Sequence, residues 1–368
     1  MMRVMVIAGE ASGDMYGAEL VRRLREKRED VQFFGTGGKC MEGAGVDILF
    51  RPSLDIVGGV EAISLLPKAF LSFKKAVSYL TEAEPDLLLL IDFAEFNLHL
   101  LKKAHSLKIK SVWFFPPTAW AWRPKRAEVV ARCADLVISC LRFEADFYRK
   151  HGANTIFVGH PLLDIVKPKE KLCFDGRPII GLLPGSRKCE VKRMLPAMVD
   201  AIKLLSFRFP KLHTLLLLAP TIEKRMVEPY LSNISCTIVE EERYSAMAVS
   251  DLLLVTSGTA TLEAAILKRP MIVLYKIHPL SFLLARFLVK TRYISLCNII
   301  AEKGVVPELI QRKVSSDVIA EEAEDILNCI DRRKEIERGL DSVVRKIYPE
   351  GAIKRSADAI LSSFLNNK

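Results

Sequence analysis

Apolar residues along this chain gather in short continuous runs, and most runs are followed by a stretch with helical spacing. Met5–Ala8 is the first run. It leads through Gly9-Glu10-Ala11-Ser12-Gly13-Asp14 into Tyr16–Lys27, where Leu20, Val21 and Leu24 share one side. That is a strand, a tight turn and a helix. Further strands are predicted at Val31–Phe34, Leu87–Ile91, Ser111–Phe115 and Leu136–Cys140, with helices at Ile63–Ala83 and Glu144–His151. Continuous rather than alternating runs suit strands covered on both faces, as in a parallel sheet. Repeated strand–helix units of this kind build a doubly wound α/β domain.

The pattern weakens between Pro161 and Pro178, a polar stretch read as a linker. A second series follows, with strands at Ile179–Leu183, Leu215–Ala219, Cys236–Val239, Leu252–Val255 and Met271–Tyr275 and helices at Val191–Phe207 and Thr259–Leu267. The expected organisation is an α/β domain over residues 1–165, a second over 166–345, and a cleft between the carboxyl edges of their sheets. Residues 346–368 form a tail in which Ile353, Ala357, Ile360 and Phe364 lie about one turn apart. Such a helix either ties the domains together or packs on a second copy.

Composition narrows the class. Of 368 residues, 50% are hydrophobic and 27% charged, which is globular, and no run approaches the roughly 20 uncharged residues of a membrane span. Fifty-four Lys and Arg against 44 Asp and Glu give a net charge of +10. That excess suits an anionic partner (a nucleotide sugar, a phospholipid surface or nucleic acid) or is simply a basic surface. The basic residues are dispersed and no recognition module is visible, so nucleic acid is not expected. Eight cysteines without a CxxC pair suit reduced thiols in a cytosolic enzyme. The start turns glycine-rich too soon for a signal peptide, so export is not expected.

Two loops of the second series have phosphate chemistry. Gly185-Ser186-Arg187 follows Ile179–Leu183 and precedes a helix beginning near Glu190. Free N–H groups at a helix start attract an anion, and Arg187 adds a fork suited to a diphosphate. The alternative is a turn with an exposed arginine. In Thr256-Ser257-Gly258-Thr259-Ala260-Thr261-Leu262-Glu263, Gly258 permits close approach, while Ser257 and Thr259 either cap the helix or bond a phosphate. Glu263, one turn inside, either accepts from a ribose diol or is merely exposed. Neither loop is a Walker A or GxGxxG pattern. A nucleoside diphosphate held without a P-loop is the joint reading, and kinase chemistry is disfavoured.

The first series carries carboxylates at its strand ends. Glu10, Ser12, Gly13 and Asp14 lie in a turn better suited to sugar hydroxyls than to phosphate, or in a simple capped helix start. Asp92 and Glu95 stand just past Leu87–Ile91, and either is a candidate general base toward an acceptor hydroxyl, with Asn97 orienting the same substrate. Trp120 and Trp122 either stack on sugar faces or pack as core, and Arg123, Lys125 and Arg126 either receive an anionic headgroup or are solvated. His160 does acid–base work, fixes a phosphate, or caps a strand beside Pro161. The other histidines make no ligand cluster, and no metal site is expected. Ala62–Leu80 and Pro279–Leu296 interleave leucine and phenylalanine with lysine and arginine, which suits a membrane surface, an acyl-chain cover or ordinary packing.

Read together, GEASGD at 9–14, the Ile91-Asp92 and Phe96-Asn97 pairs, the Pro117–Arg126 segment with its WAW, FVGHP at 157–161, LLPGSR at 182–187, SGTATLE at 257–263, KRPMIVLYK at 268–276 and FLVKTRYISLCN at 287–298 resemble the lipid-A-disaccharide synthase family, in family order. The resemblance implies two Rossmann-like domains of the GT-B glycosyltransferase type facing a cleft, with a C-terminal helix crossing back. It implies inverting transfer of 2,3-diacylglucosamine from UDP-2,3-diacylglucosamine to 2,3-diacylglucosamine 1-phosphate. The products would be UDP and the β-1,6-linked lipid A disaccharide 1-phosphate. UDP-sugar is the donor substrate, and no cofactor is implied. Donor UDP would lie near Gly185, Ser186, Arg187, Ser257, Gly258, Thr259 and Glu263, with Asn298 near the diphosphate. Acceptor and catalytic groups would come from Glu10, Ser12, Asp14, Asp92 and Glu95. The resemblance further implies a monomer or homodimer, peripheral on the anionic cytoplasmic face of the inner membrane.

One departure concerns the chemistry. The family usually has Asp-Ala-Pro-Asp-Phe-Asn where this chain has Asp92-Phe93-Ala94-Glu95-Phe96-Asn97, so the favoured base position holds a glutamate, the proline is lost, and the expected base is Glu95 or, failing that, Asp92. Pro117-Thr118-Ala119 likewise stands for Pro-Ser-Val. The rival readings are a UDP-sugar transferase or epimerase acting on a non-acylated sugar, which would ignore acyl chains, and a lipid-binding scaffold, which would not bind UDP.

Overall fold

The computed structural model describes residues 2–51, 66–170, 172–288 and 291–365. They form two parallel sheets. The first contains β1 (Met2–Ala8), β2 (Val31–Thr36), β3 (Asp47–Ile48), β4 (Leu87–Ile91), β5 (Lys110–Phe114), β6 (Leu136–Ser139) and β7 (Thr155–Phe157), in the order β3-β2-β1-β4-β5-β6-β7. The second contains β8 (Ile179–Leu183), β9 (His213–Leu217), β10 (Thr237–Val239), β11 (Leu252–Thr256), β12 (Met271–Tyr275) and β13 (Glu308–Ile310), in the order β10-β9-β8-β11-β12-β13. Helices flank both sheets, giving the two Rossmann-like units expected.

The continuous apolar runs have a direct cause. On β4, Leu87, Leu89 and Ile91 join Val4 and Val6 in one core, whereas Leu88 and Leu90 join Met5, Ile7 and Trp113 in another. All five β4 side chains are fully buried. At about 1.5–3 kcal/mol each, they fix the strand at the centre of the sheet.

Several boundaries differ from the sequence reading. The first helix is Ala11–Lys27, not Tyr16–Lys27, so Ser12, Gly13 and Asp14 lie on its first turn. The strands β3, β7 and β13 are only two or three residues long, too short to give a pattern. The helix expected over 63–83 is described as Leu66–Ala83, and residues 63–65 lie outside the described residues. A helical turn, Leu162–Ile165, opens the proposed linker.

After helix Ile330–Ile347 the chain returns to the first unit, where helix Ala352–Ile360 packs against helix Ala11–Lys27. Asp164 accepts from the Gly351 N–H at 2.6 Å, and Arg355 donates to the carbonyls of Val158 and Pro349. Lys27 pairs with Asp358 across the two helices. Gly159 is required at this crossing. Its φ is +79°, and a Cβ there would lie 2.1 Å from the Pro349 carbonyl oxygen. One apolar cluster therefore runs from Val4 and Leu20 through Val158, Leu162 and Ile347 into the second unit.

Candidate active site

Each sheet reverses its order once, between β1 and β4 and between β8 and β11. Crevices open at the carboxyl ends of strands at such points. Glu10 and Asp92 follow the ends of β1 and β4, and the Gly185-Ser186-Arg187 and Ser257-Gly258-Thr259 loops follow the ends of β8 and β11. The two crevices meet: the Arg187 guanidinium donates through Nη2 to the Glu10 carboxylate.

Local sequence explains the first crevice. A Cβ at Gly9 would lie 2.6 Å from the Phe93 ring, so only glycine lets that ring close over the end of β1. Glu10 sits in the extended conformation at the N-cap of its helix and makes no side-chain cap, which leaves its carboxylate for Arg187. Asp92 and Phe93 are successive non-glycine residues with φ +49° and +54°. Asn97, buried on the following helix Ala94–Ser106, holds this unusual turn by donating to the carbonyls of Asp92 at 2.7 Å and Ile91 at 3.4 Å. The Asp92 carboxyl is pushed up to about 7, first by burial and then by the Glu10 charge. The Phe93 N–H and Arg187 pull it the other way.

In the second crevice, the N–H groups expected to be free are satisfied internally. Glu190 Oε2 accepts from the N–H groups of Ser186 at 3.0 Å and Arg187 at 3.2 Å, and its Oε1 accepts from Arg187 Nη1 at 2.7 Å. Gly185, with φ +117°, is needed because a Cβ would lie 2.5 Å from Glu190 Oε2. Burial pulls the Arg187 guanidinium down, but Glu10 and Glu190 outweigh it and hold it above the usual range. The Ser257 hydroxyl donates to the Ile294 carbonyl at 3.2 Å. Thr259 is the N-cap residue of helix Ala260–Ile266 and makes no side-chain cap, while a Cβ on Gly258 would meet open space. Glu263 is buried rather than exposed and pairs with Arg243.

Other candidates take different parts. Asp14 is engaged by the N–H groups of Gly38, Cys40 and Met41, so it caps the short helix Lys39–Gly43 and is not free for a sugar. Gly13 is buried where its helix meets β4, and Ser12 is half-buried beside it. Asn298 is buried too. Its oxygen accepts from the N–H groups of Val305 and Val306, and its amide donates to the Val306 carbonyl and Glu308, so these contacts tie it to the loop before β13. Glu95 is exposed and turned to Arg126 and Arg123, whose guanidiniums also lie against the Trp122 ring. Trp120 donates to buried Glu144 at 3.1 Å. Burial pushes the Glu144 carboxyl up to about 7. His160 packs on Tyr16 and Phe115, and burial pulls it down to about 3. Its Nδ1 accepts from the Leu162 N–H, so it caps the first turn of helix Leu162–Ile165 beside Pro161. Among the described residues no group of three His, Cys, Asp or Glu side chains gathers as a metal ligand set.

Sequence reasoning missed Glu190, Arg243, Tyr244 and Glu144. Glu190 had a signal, since its place three residues after Arg187 is a capping-box spacing. For the others no local signal exists.

The lipid-A-disaccharide synthetase family model matches residues 4–360. The chain belongs to this family. The lipid-A-disaccharide synthase of Nitrosococcus oceani is 39% identical over 355 residues, covering 94% of this chain and 92% of the relative. That of Myxococcus xanthus is 35% identical over 370 residues, covering 98% and 97%. A UDP-GlcNAc 2-epimerase from Neisseria meningitidis, solved with UDP-GlcNAc, superposes with a TM-score of 0.68 at 13% identity, covering 98% of this chain and 100% of that one. The last likeness is one of fold. As a lipid-A-disaccharide synthase family member this chain is a GT-B glycosyltransferase that transfers 2,3-diacylglucosamine from UDP-2,3-diacylglucosamine to 2,3-diacylglucosamine 1-phosphate.

Asn97→Ala removes the donor of two buried carbonyls, which costs about 1–3 kcal/mol. It also frees the turn that presents Asp92. Activity falls about 100-fold; urea unfolding and initial rates on the same sample check both numbers.

Proposed function

We propose that the cleft moves 2,3-diacylglucosamine from UDP to the 6-hydroxyl of 2,3-diacylglucosamine 1-phosphate by a single displacement, with Asp92 as general base. The observation that carries this assignment is the position of Asp92 at one strand-order reversal, beside a carboxylate that is itself tied to the other. Asp92 takes the hydroxyl proton while the acceptor oxygen attacks the anomeric carbon from the face opposite UDP. The bond from that carbon to the diphosphate oxygen breaks, UDP leaves with the electron pair, and the centre inverts. Arg187 and the Ser257–Thr259 loop face the charge that grows on UDP. Ser12 lies within reach of the acceptor.

Glu95 occupies the position the family favours for the base, but its Oε1 pairs with Arg126 and Arg123 and the side chain is exposed to solvent. A base needs to reach the hydroxyl and to have a proton affinity near the working pH. Asp92 fits the second requirement through burial and Glu10. Glu95 instead holds the arginines of the tryptophan segment.

Donor binding involves an exchange at Arg187. Without donor the guanidinium bridges Glu10 and Glu190; the diphosphate takes the place of Glu10. Glu10 then stands beside Asp92 without its counter-charge, which strengthens Asp92 as a base. On this reading residues 1–165 bind the acceptor, 166–345 the donor, and 346–368 lock the two.

Among the described residues no helix is long and apolar enough to cross a membrane. Helix Leu66–Ala83 exposes Leu66, Phe70 and Leu71 beside Lys68, Lys74 and Lys75, and helix Pro279–Leu288 exposes Leu280, Leu283 and Leu284 beside Arg286. Apolar side chains ringed by cations suit an anionic membrane surface, from which both acylated substrates come.

Asp92→Asn lowers turnover about 1,000-fold, whereas Glu95→Gln keeps most of it; the reverse ranking overturns the assignment. The kcat/KM profile falls tenfold per pH unit below about 7, because only ionised Asp92 accepts the proton. Glu10→Gln removes a charge that raises Asp92, so the limb moves to lower pH. The same variant binds UDP about tenfold more tightly at low salt, measured by calorimetry, and unchanged affinity counts against the exchange at Arg187. Phe70→Glu with Leu71→Glu abolishes sedimentation with vesicles containing anionic lipid; retention of the double variant removes that helix from the membrane contact.

A further inference from the structure

Glu263 is the sequence's candidate for the donor ribose, and it does not stand alone. Its carboxylate is only 4% exposed. A carboxylate taken out of water needs a counter-charge and hydrogen-bond donors. Both come from the segment after β10, which no motif of the sequence singled out. Arg243 donates through Nη2 to Glu263 Oε2, and the Tyr244 hydroxyl reaches Oε1 at 3.4 Å. The segment turns into helix Arg243–Val249 through Glu242, whose φ of +50° directs Arg243 back toward Glu263. The Arg243 guanidinium lies over the Tyr244 ring, 5.3 Å from its centroid. The Tyr244 hydroxyl also approaches Met15 Sδ at 3.8 Å on the first helix of the opposite unit. The cluster therefore borders the cleft.

We propose that Arg243 is a positioning residue that acts through Glu263 to select the ribose of the donor. By holding Oε2 it fixes the carboxylate plane and keeps Oε1, which among the described residues meets only the long Tyr244 contact, for the two ribose hydroxyls. A carboxylate oxygen has lone pairs for both. Lysine would supply the charge without the planar fork and would hold the plane less well. This inference rests on the donor reading, since it needs UDP to meet Glu263.

Calorimetric titration of UDP and 2′-deoxy-UDP into the full chain tests it. The parent protein prefers UDP by about tenfold. Arg243→Gln lowers UDP affinity about 30-fold and brings the preference below about twofold, Glu263→Gln does the same, and the double variant loses little more. Arg243→Lys, which keeps the charge if Arg243→Gln fails to fold, gives an intermediate preference. A wild-type ribose preference in Arg243→Gln or Arg243→Lys overturns the proposal. Additive losses in the double variant also overturn it, and would place Arg243 on the phosphates instead. A parent protein that binds UDP without regard to the 2′-hydroxyl overturns the role of Arg243 and leaves the donor reading standing. A parent protein that does not bind UDP overturns both.

Discussion

The ion pair between Glu10 and Arg187 joins residues 177 positions apart in the chain and is the contact through which the two halves of the site sense each other. Glu10 belongs to the end of the first strand, Arg187 to the end of the eighth, and each strand flanks the point where its sheet reverses order. Both side chains are about one-third exposed or less, so the pair is screened less than a surface bridge. The proton affinity of Asp92 depends on it from both sides. Glu10 raises it and Arg187 lowers it. Whatever competes for Arg187 therefore changes Asp92.

The rest of the cleft follows the same rule of internal satisfaction. Polar groups withdrawn from water find partners, and a cleft without ligand finds them in the protein. Glu190 occupies the N–H groups of the GSR loop, Arg243 and Tyr244 occupy Glu263, and Asp14 is spent on a neighbouring helix start. On the proposed reading, a donor diphosphate meets a site whose charges are already balanced, and it replaces the group whose partner lies on the other domain.

The substitutions in the family pattern have a place in this picture. Without the usual proline, the turn at Asp92 and Phe93 still adopts two left-handed residues, because Asn97 ties the carbonyls of Ile91 and Asp92 from below. The longer glutamate at 95 reaches outward to the arginines beside Trp122. The tail completes the assembly: helix Ala352–Ile360 lies along the helix that starts after Glu10, so the element presenting Glu10 is braced by the end of the chain.

The sequence alone determined the two strand–helix series, the central strands and the loops at their ends, since these depend on local spacing: runs buried on both faces, glycines where a Cβ has no room, and motifs that sit together in the chain. It also carried the family, through motifs spread along its length. Tertiary structure decided which member of each motif is available. Asp14 and Asn298 look like ligands in the motif and are consumed by backbone N–H groups brought near by folding, while Arg243 carries no motif and stands on Glu263. His160 looks like an acid–base group, and burial pulls it toward the neutral form while its Nδ1 caps a helix start. Glu95 and Asp92, three positions apart, differ because one end of a buried strand sits beside Glu10 and the first turn of the next helix faces solvent. Protonation and partner choice depend on what lies across the cleft, and that is fixed by the packing of segments far apart in the chain.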